Sequence, residues 1–134
     1  MGLFRCGGIV GRNDQYSGVS RSIIERCYNS GRIKNSSYAG GIIGYLFNPT
    51  GEITIKECYN KGEFLNNNST LKGAIIGQEK HPSNVGTLNN LYYLESLGTV
   101  AIKGKENDTE NKIMAVSDDI NSYEEFITWI EGKI

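Results

Sequence analysis

With 134 residues, 14 basic against 15 acidic and a net charge of -1, the chain has the length of one domain and no field to attract nucleic acid or an anionic membrane. No apolar run reaches the ~20 residues that span a bilayer, and the first residues lack the charged and apolar segments of a signal peptide, which implies a mature or truncated soluble piece without membrane insertion. Glycine (17 residues) far outweighs proline (2), a balance that suits tight turns between short strands better than a disordered linker.

The first element in chain order is Gly7-Gly8-Ile9-Val10-Gly11. It returns as Gly40-Gly41-Ile42-Ile43-Gly44 and again as Gly73-Ala74-Ile75-Ile76-Gly77, at a constant spacing of 33 residues. A fixed period of that length signals stacked units, each too small to bury its own apolar face. The second anchor is Ile24-Glu25-Arg26-Cys27-Tyr28-Asn29-Ser30-Gly31, echoed by Ile55-Lys56-Glu57-Cys58-Tyr59-Asn60-Lys61-Gly62. The third copy, Leu88-Asn89-Asn90-Leu91-Tyr92-Tyr93, keeps the apolar positions and loses the asparagine and glycine. Length varies only in the loops around Asn13 to Ser20 and Asn66 to Thr70, as fixed strands with free corners require.

Two long amphipathic helices per unit, the mark of 33-residue helical repeats, are absent, whereas runs such as Ile53-Thr54-Ile55 are short, β-branched and bounded by Gly or Asn. The expected fold is all-β: a right-handed parallel β-solenoid, or β-helix, of about three coils. Each coil should carry one strand at the glycine-aliphatic motif, one along Ile55 to Tyr59 and one at Glu63 to Leu65. Aligning Cys27 with Cys58 sets Glu25 against Lys56, Arg26 against Glu57 and Arg32 against Glu63, three pairs of opposite sign that favour in-register stacking. Asn29 over Asn60 would form an amide ladder. Cys6, Cys27 and Cys58 are an odd set that matches no zinc spacing; a reduced, buried ladder of Cys27 and Cys58 is favoured over a bridge, because parallel strands hold the Cβ atoms slightly too far apart.

After Leu94 the period fails. Val100-Ala101-Ile102 and Ile113 to Val116 read as two further strands, and Ser122 with Glu125 forms a capping box ahead of a helix whose apolar face is Tyr123, Phe126, Ile127 and Ile130, bordered by Trp129. The expected division is a repeat region over 1–98, with units at about 7–39, 40–72 and 73–98, followed by a β-α cap over 99–134 whose helix covers the end of the stack. The amino end has no such cover. It reads as the open side of the carboxy-terminal part of a longer array, able to self-associate through its first coil.

Gly-Gly-Ile-Val-Gly followed by Ile-x-x-Cys-Tyr-Asn-x-Gly resembles the GLUG-motif repeats of bacterial surface and secreted proteins. Residues 7–31 and 40–62 carry the pattern closely, and 73–94 carry it with departures at Ala74, Leu91 and Tyr93. The resemblance implies an extracellular or cell-surface, non-catalytic structural or adhesion module whose partner is a host or neighbouring cell-surface protein or a glycan. Two alternatives stay open: a fragment of a polysaccharide-processing β-helix enzyme, and an accessory module of a secreted peptidase.

The chemistry-bearing residues give little support to catalysis. His81, the one histidine, has no nucleophile beside it, and the aspartates Asp14, Asp108, Asp118 and Asp119 recur at no repeat position. Glu57 and Glu63 could approach each other, but both have predicted basic partners. The asparagine acceptor patterns at Asn35, Asn67, Asn68 and Asn107 are as common as chance allows in so asparagine-rich a chain, and neither a phosphate loop nor a calcium repeat is present. No catalytic residue, metal site or cofactor is expected. The structural repeat positions are Gly7, Gly8, Gly11, Gly40, Gly41, Gly44, Gly73, Gly77, Cys27, Cys58, Asn29 and Asn60. Tyr28, Tyr59 and Tyr92 align across the repeats and alternate outward, forming an aromatic strip that either binds a sugar or partner or stabilises the sheet.

Overall fold

The computed structural model of the chain describes residues 5–14, 21–34, 38–47, 52–65, 72–80 and 87–134. Its first pass contains β1 (Arg5–Gly7), β2 (Val10–Asp14), β3 (Arg21–Glu25) and β4 (Tyr28–Asn29). A second pass forms β5 (Tyr38–Gly40), β6 (Ile43–Phe47) and β7 (Glu52–Asn60). The third consists of β8 (Lys72–Gly73), β9 (Glu79–Lys80) and β10 (Thr87–Leu94). A turn of 3-10 helix at Glu95–Leu97, β11 (Ile113–Val116) and α1 (Tyr123–Glu131) complete it.

Each sheet takes one strand from each pass, in order: β1-β5-β8, β2-β6-β9, and β3-β7-β10-β11 with β4 also on β7. All of these pairings are parallel. The architecture is strand-rich, built of parallel sheets with one helix among the described residues. Repeat-equivalent residues are register partners: Gly7 with Gly40 and Gly40 with Gly73, Ile24 with Ile55 and Ile55 with Leu88, Tyr28 with Tyr59 and Tyr59 with Tyr92. A slip of one residue would turn every apolar side chain to the wrong face, so the repeat itself pins the register.

The glycine motif is a corner and not a single strand. Gly40 ends β5, Gly41 and Ile42 form a bend, and Ile43 opens β6 in a different sheet. Gly11 and Gly44 lie inside β2 and β6, between the register pairs Val10 with Ile43 and Arg12 with Tyr45. The strand expected at Glu63 to Leu65 is reduced to one bridge between Ile33 and Phe64. The loops at 15–20 and 66–70, His81, and the acceptor asparagine Asn35 lie outside the described residues.

The interior is lined by Ile42, Ile55, Cys58, Ile75 and Leu91, none of them exposed, and it continues without a break into Ala101, Ile102 and Ile113. Ile102 bridges to Ile76, and Ile113 pairs with Leu91. The segment after Leu94 thus adds a further, shortened layer to the same core.

One local feature repeats in every layer and left no sign in the pattern of residues. Arg26, Glu57, Asn90 and Lys112 each have positive φ, at 51°, 55°, 51° and 58°. Each directly precedes the inward residue Cys27, Cys58, Leu91 or Ile113. The left-handed residue resets the alternation of the strand, so that Ile53 and Ile55 point inward before it and Cys58 and Asn60 point inward after it. Non-glycine residues carry a steric cost of about 1–2 kcal/mol there. Lys112 is exposed, so Lys112→Gly should raise stability in chemical denaturation by about 0.5–1 kcal/mol after glycine's own entropic cost, while Lys112→Val should lower it. A glycine variant less stable than wild type would contradict the stacked left-handed positions.

Candidate functional site: the asparagine seam and the covered tyrosine strip

Two constellations bring the repeat residues together. The first crosses the interior. Asn29 donates through Nδ2 to Asn60 Oδ1 at 2.8 Å, and Asn60 Nδ2 donates to the Ala74 carbonyl at 2.9 Å. The two Oδ1 atoms accept from the backbone N–H of Gly31 (3.2 Å) and Gly62 (2.8 Å). The seam therefore joins three layers and leaves none of its amide groups unmet, as burial demands.

The second glycine of the first two motifs leaves room for this seam and for the backbone of the next layer. A Cβ on Gly8 would stand 2.6 Å from Asn29 Nδ2, and one on Gly41 would overlap Asn60 Nδ2 and the Ala74 carbonyl oxygen. In the third layer the same position is Ala74, and the asparagine is replaced by Tyr93. Tyr93 donates its hydroxyl to the Thr99 carbonyl (2.8 Å) and accepts from Asn107 Nδ2 (2.8 Å), whose Oδ1 takes the Ala101 N–H (3.1 Å). The departures at Ala74 and Tyr93 are thus a matched pair. Asn107 holds this layer together, so its acceptor pattern for glycosylation is occupied by a structural role.

Cys27 and Cys58 are free, the first half-buried and the second fully buried. Hydrogen bonding to Cys27 once that thiol ionises, and then burial, push the Cys58 thiol up, and the same contact holds Cys27 down. Each neutral thiol donates its one proton to the carbonyl two residues earlier, Glu25 O at 3.5 Å and Lys56 O at 3.3 Å. Two of the three predicted charge pairs form: Arg26 Nε to Glu57 Oε1 at 3.0 Å and Lys56 Nζ to Glu25 Oε2 at 3.7 Å. Arg32 and Glu63 are both exposed and make no ion pair with each other. Glu57 is 7% exposed and also lies 3.6 Å from Lys56 Nζ, so its carboxylate is ion-paired on two sides.

The second constellation is the tyrosine strip. Tyr28 and Tyr59 stack with centroids 5.9 Å apart and planes 5° apart. All three tyrosines point away from the interior, yet Tyr59 is fully buried and Tyr92 only 3% exposed, because α1 lies on them. Phe126 packs 5.8 Å from the Tyr28 ring and 6.4 Å from Tyr59. Trp129 meets Tyr59 and Tyr92 edge to face at 5.6 Å and 5.0 Å. The nine residues of α1 span about 14 Å, the width of three strand spacings, so one helix reaches across four strands. This corrects two expectations. The strip is not open to a sugar or a partner, and the helix covers the flank of the sheet instead of the end of the stack. An amphipathic pattern shows that a helix has an apolar face but not where that face goes; here it meets the outward tyrosines.

Sequence and tertiary contacts cooperate at the helix start. Ser122 Oγ accepts the Glu125 N–H at 3.1 Å, and the Glu125 carboxylate reaches back to the Asn121 N–H at 2.9 Å. Tyr59 OH donates to the Asp118 carbonyl (2.8 Å) and accepts from the Ile120 N–H (3.3 Å), while Tyr28 OH donates to the Ile120 carbonyl (2.8 Å). Lys61 pairs with Asp119, and Arg26 Nη1 reaches Glu131 Oε1 at 3.3 Å. The hydroxyls and charges around the strip therefore position the chain that leads into α1. Trp129 and the carbonyls of Asp118 and Ile120 were not singled out in the sequence as partners of the strip, although the hydrophobic spacing of α1 carried the signal.

Burial pushes the Tyr59 phenol up to about 12, and it raises Tyr92 as well. For Tyr59 the folded state holds its proton above the ordinary value of 10.0, so stability is full below about pH 10 and falls as pH rises towards 12. Thermal melts across that range should show a steep loss in wild type that is smaller in Tyr59→Phe; identical pH profiles would contradict the buried neutral phenol.

Among the described residues no group of three His, Cys, Asp or Glu side chains could hold a metal ion. No helix among them is long and apolar enough to cross a membrane. A shallow groove beside α1 is lined by Glu124, Glu125, Thr128 and Trp129. No protein-family model, curated protein or solved structure matches the chain.

Proposed function

We propose that the chain is a right-handed parallel β-solenoid of about three coils with a shortened closing layer, serving as a non-catalytic structural or adhesion module. On this reading it belongs with GLUG-type repeats and acts at a bacterial cell surface or in a secreted protein, towards a host or neighbouring surface protein or glycan. The observation that carries the reading is that the repeated side chains stack one layer on the next: asparagine on asparagine and on the following backbone, isoleucine on isoleucine, tyrosine on tyrosine beneath α1. Handedness follows from the strong preference of parallel crossover connections for the right-handed path.

The surface-bound chain should capture glycoproteins or glycans from a host-surface panel reversibly, and an unfolded variant should lose that capture. Absence of capture together with release of sugar from a polysaccharide panel would overturn the proposal in favour of the polysaccharide-processing reading.

A further inference from the structure

The two ends of the long sheet are treated differently by the chain. At β11 the outer edge is occupied at its first residue: Asp108 forms an antiparallel bridge with Ile113 and its carbonyl accepts the Ile113 N–H at 2.8 Å. At β3 no described strand lies on the outer side. The consequence is visible position by position. Ile9 is 47% exposed, whereas its equivalents Ile42 and Ile75 are fully buried, and Cys27 is half-buried where Cys58 is fully buried. An open parallel edge with a half-covered core is a template for another strand.

The residues on that edge specify what fits it. On the outer face of β3, Ile23 is 66% exposed, and its register partners in the next layers are threonines, Thr54 and then Thr87. The chain places an isoleucine only in the layer whose edge is open. Around it the strand reads Arg21-Ser22-Ile23-Ile24-Glu25. Pairing β3 with itself in the antiparallel sense about Ile23 sets Ile23 beside Ile23, and Arg21 opposite Glu25 twice over. Parallel, in-register self-pairing would set arginine on arginine and glutamate on glutamate, which is penalised. Head-to-tail stacking on β11 would have to displace the Asp108 bridge at Ile113, which antiparallel pairing of two β3 edges leaves in place.

We propose that β3 is a homodimer edge: two copies pair antiparallel through β3, centred on Ile23, in a closed two-fold contact. Such an isologous arrangement covers both open edges at once and cannot propagate. This goes beyond the structural role proposed above and stands or falls independently of any surface ligand.

The test uses the 134-residue chain and its charge variants, with mass determined by light scattering and native mass spectrometry. Wild type should dimerise. Arg21→Glu alone and Glu25→Arg alone each set like charges across the contact and should weaken the dimer about tenfold or more. An equimolar mixture of the two variants should form the heterodimer, because the strand with two acidic ends then faces the strand with two basic ends and both cross-strand pairs regain opposite sign. Ile23→Thr, which restores the residue of the other layers, should weaken the dimer without lowering the melting temperature, and it carries the test if a charge variant fails to fold. A wild type that stays monomeric at high concentration, or a variant mixture that stays monomeric while wild type dimerises, overturns the proposal.

Discussion

Gly41→Ala is expected to destabilise the folded state far more than Gly132→Ala. The added Cβ would overlap both the Ala74 carbonyl oxygen and the Asn60 amide, which are already bonded to each other at 2.9 Å. Relief by side-chain movement is blocked, since one of the two atoms is backbone of the next layer. That backbone is tied in turn by Ile42 N–H and Ile43 N–H to the Ile75 carbonyl at 3.0 Å and 2.9 Å. Overpacking a core commonly costs about 1–3 kcal/mol, and here the layers themselves must part, so a loss of at least ~3 kcal/mol is expected against the ~5–15 kcal/mol of a typical domain. Gly132→Ala is the control: its nearest atom would be 3.4 Å away, and stability should stay within about 0.5 kcal/mol. Denaturant unfolding of the two variants side by side measures the difference, and a Gly41→Ala protein as stable as the control would refute the close approach of Asn60 to the corner.

Tyr59→Ala is expected to release α1 from the sheet. The side chain is fully buried and touches Tyr28, Phe126 and Trp129, so its removal leaves a cavity under the helix. It also leaves the Ile120 N–H and the Asp118 carbonyl without their hydroxyl partner. Cavity and orphaned groups together should cost about 3–5 kcal/mol. Tyr59→Phe keeps the ring and should cost only ~1–2 kcal/mol. Trp129 is the one tryptophan, so its fluorescence reports the event: exposure to water at lower denaturant in Tyr59→Ala than in Tyr59→Phe. Equal midpoints for the two variants would mean that the helix is not held through the strip.

The parts of the architecture that rest on repetition are legible in the chain, because stacking makes each residue the neighbour of its own equivalent. Ile24, Ile55 and Leu88 can be aligned without a structure, and their alignment is the sheet register. The opposite charges of Arg26 and Glu57 follow from the same alignment. Arg32 and Glu63 do not meet, because alignment sets the neighbourhood of two residues and not the direction of two exposed side chains. The coupling of Gly41 to Asn60 joins different walls of one layer, and its trace lay in the simultaneous change to Ala74 and Tyr93, which reads as two unrelated departures until the distance is known. The left-handed ladder has almost no signature, since of its four positions only Asn90 is a residue type that favours that conformation and Arg26, Glu57 and Lys112 are not. The placement of α1 required matching two apolar surfaces, the outward tyrosines and the face around Phe126, that lie far apart in the chain.

The central claim is that repeat-equivalent residues lie directly on one another in parallel register. Proton-proton contacts measured by nuclear magnetic resonance in solution test it most directly, along Ile24, Ile55 and Leu88 and between the side-chain amides of Asn29 and Asn60. The account predicts contacts from Ile55 to both Ile24 and Leu88, and between the two amides. Contacts shifted by one residue, or pairing of these strands in the antiparallel sense, would contradict it.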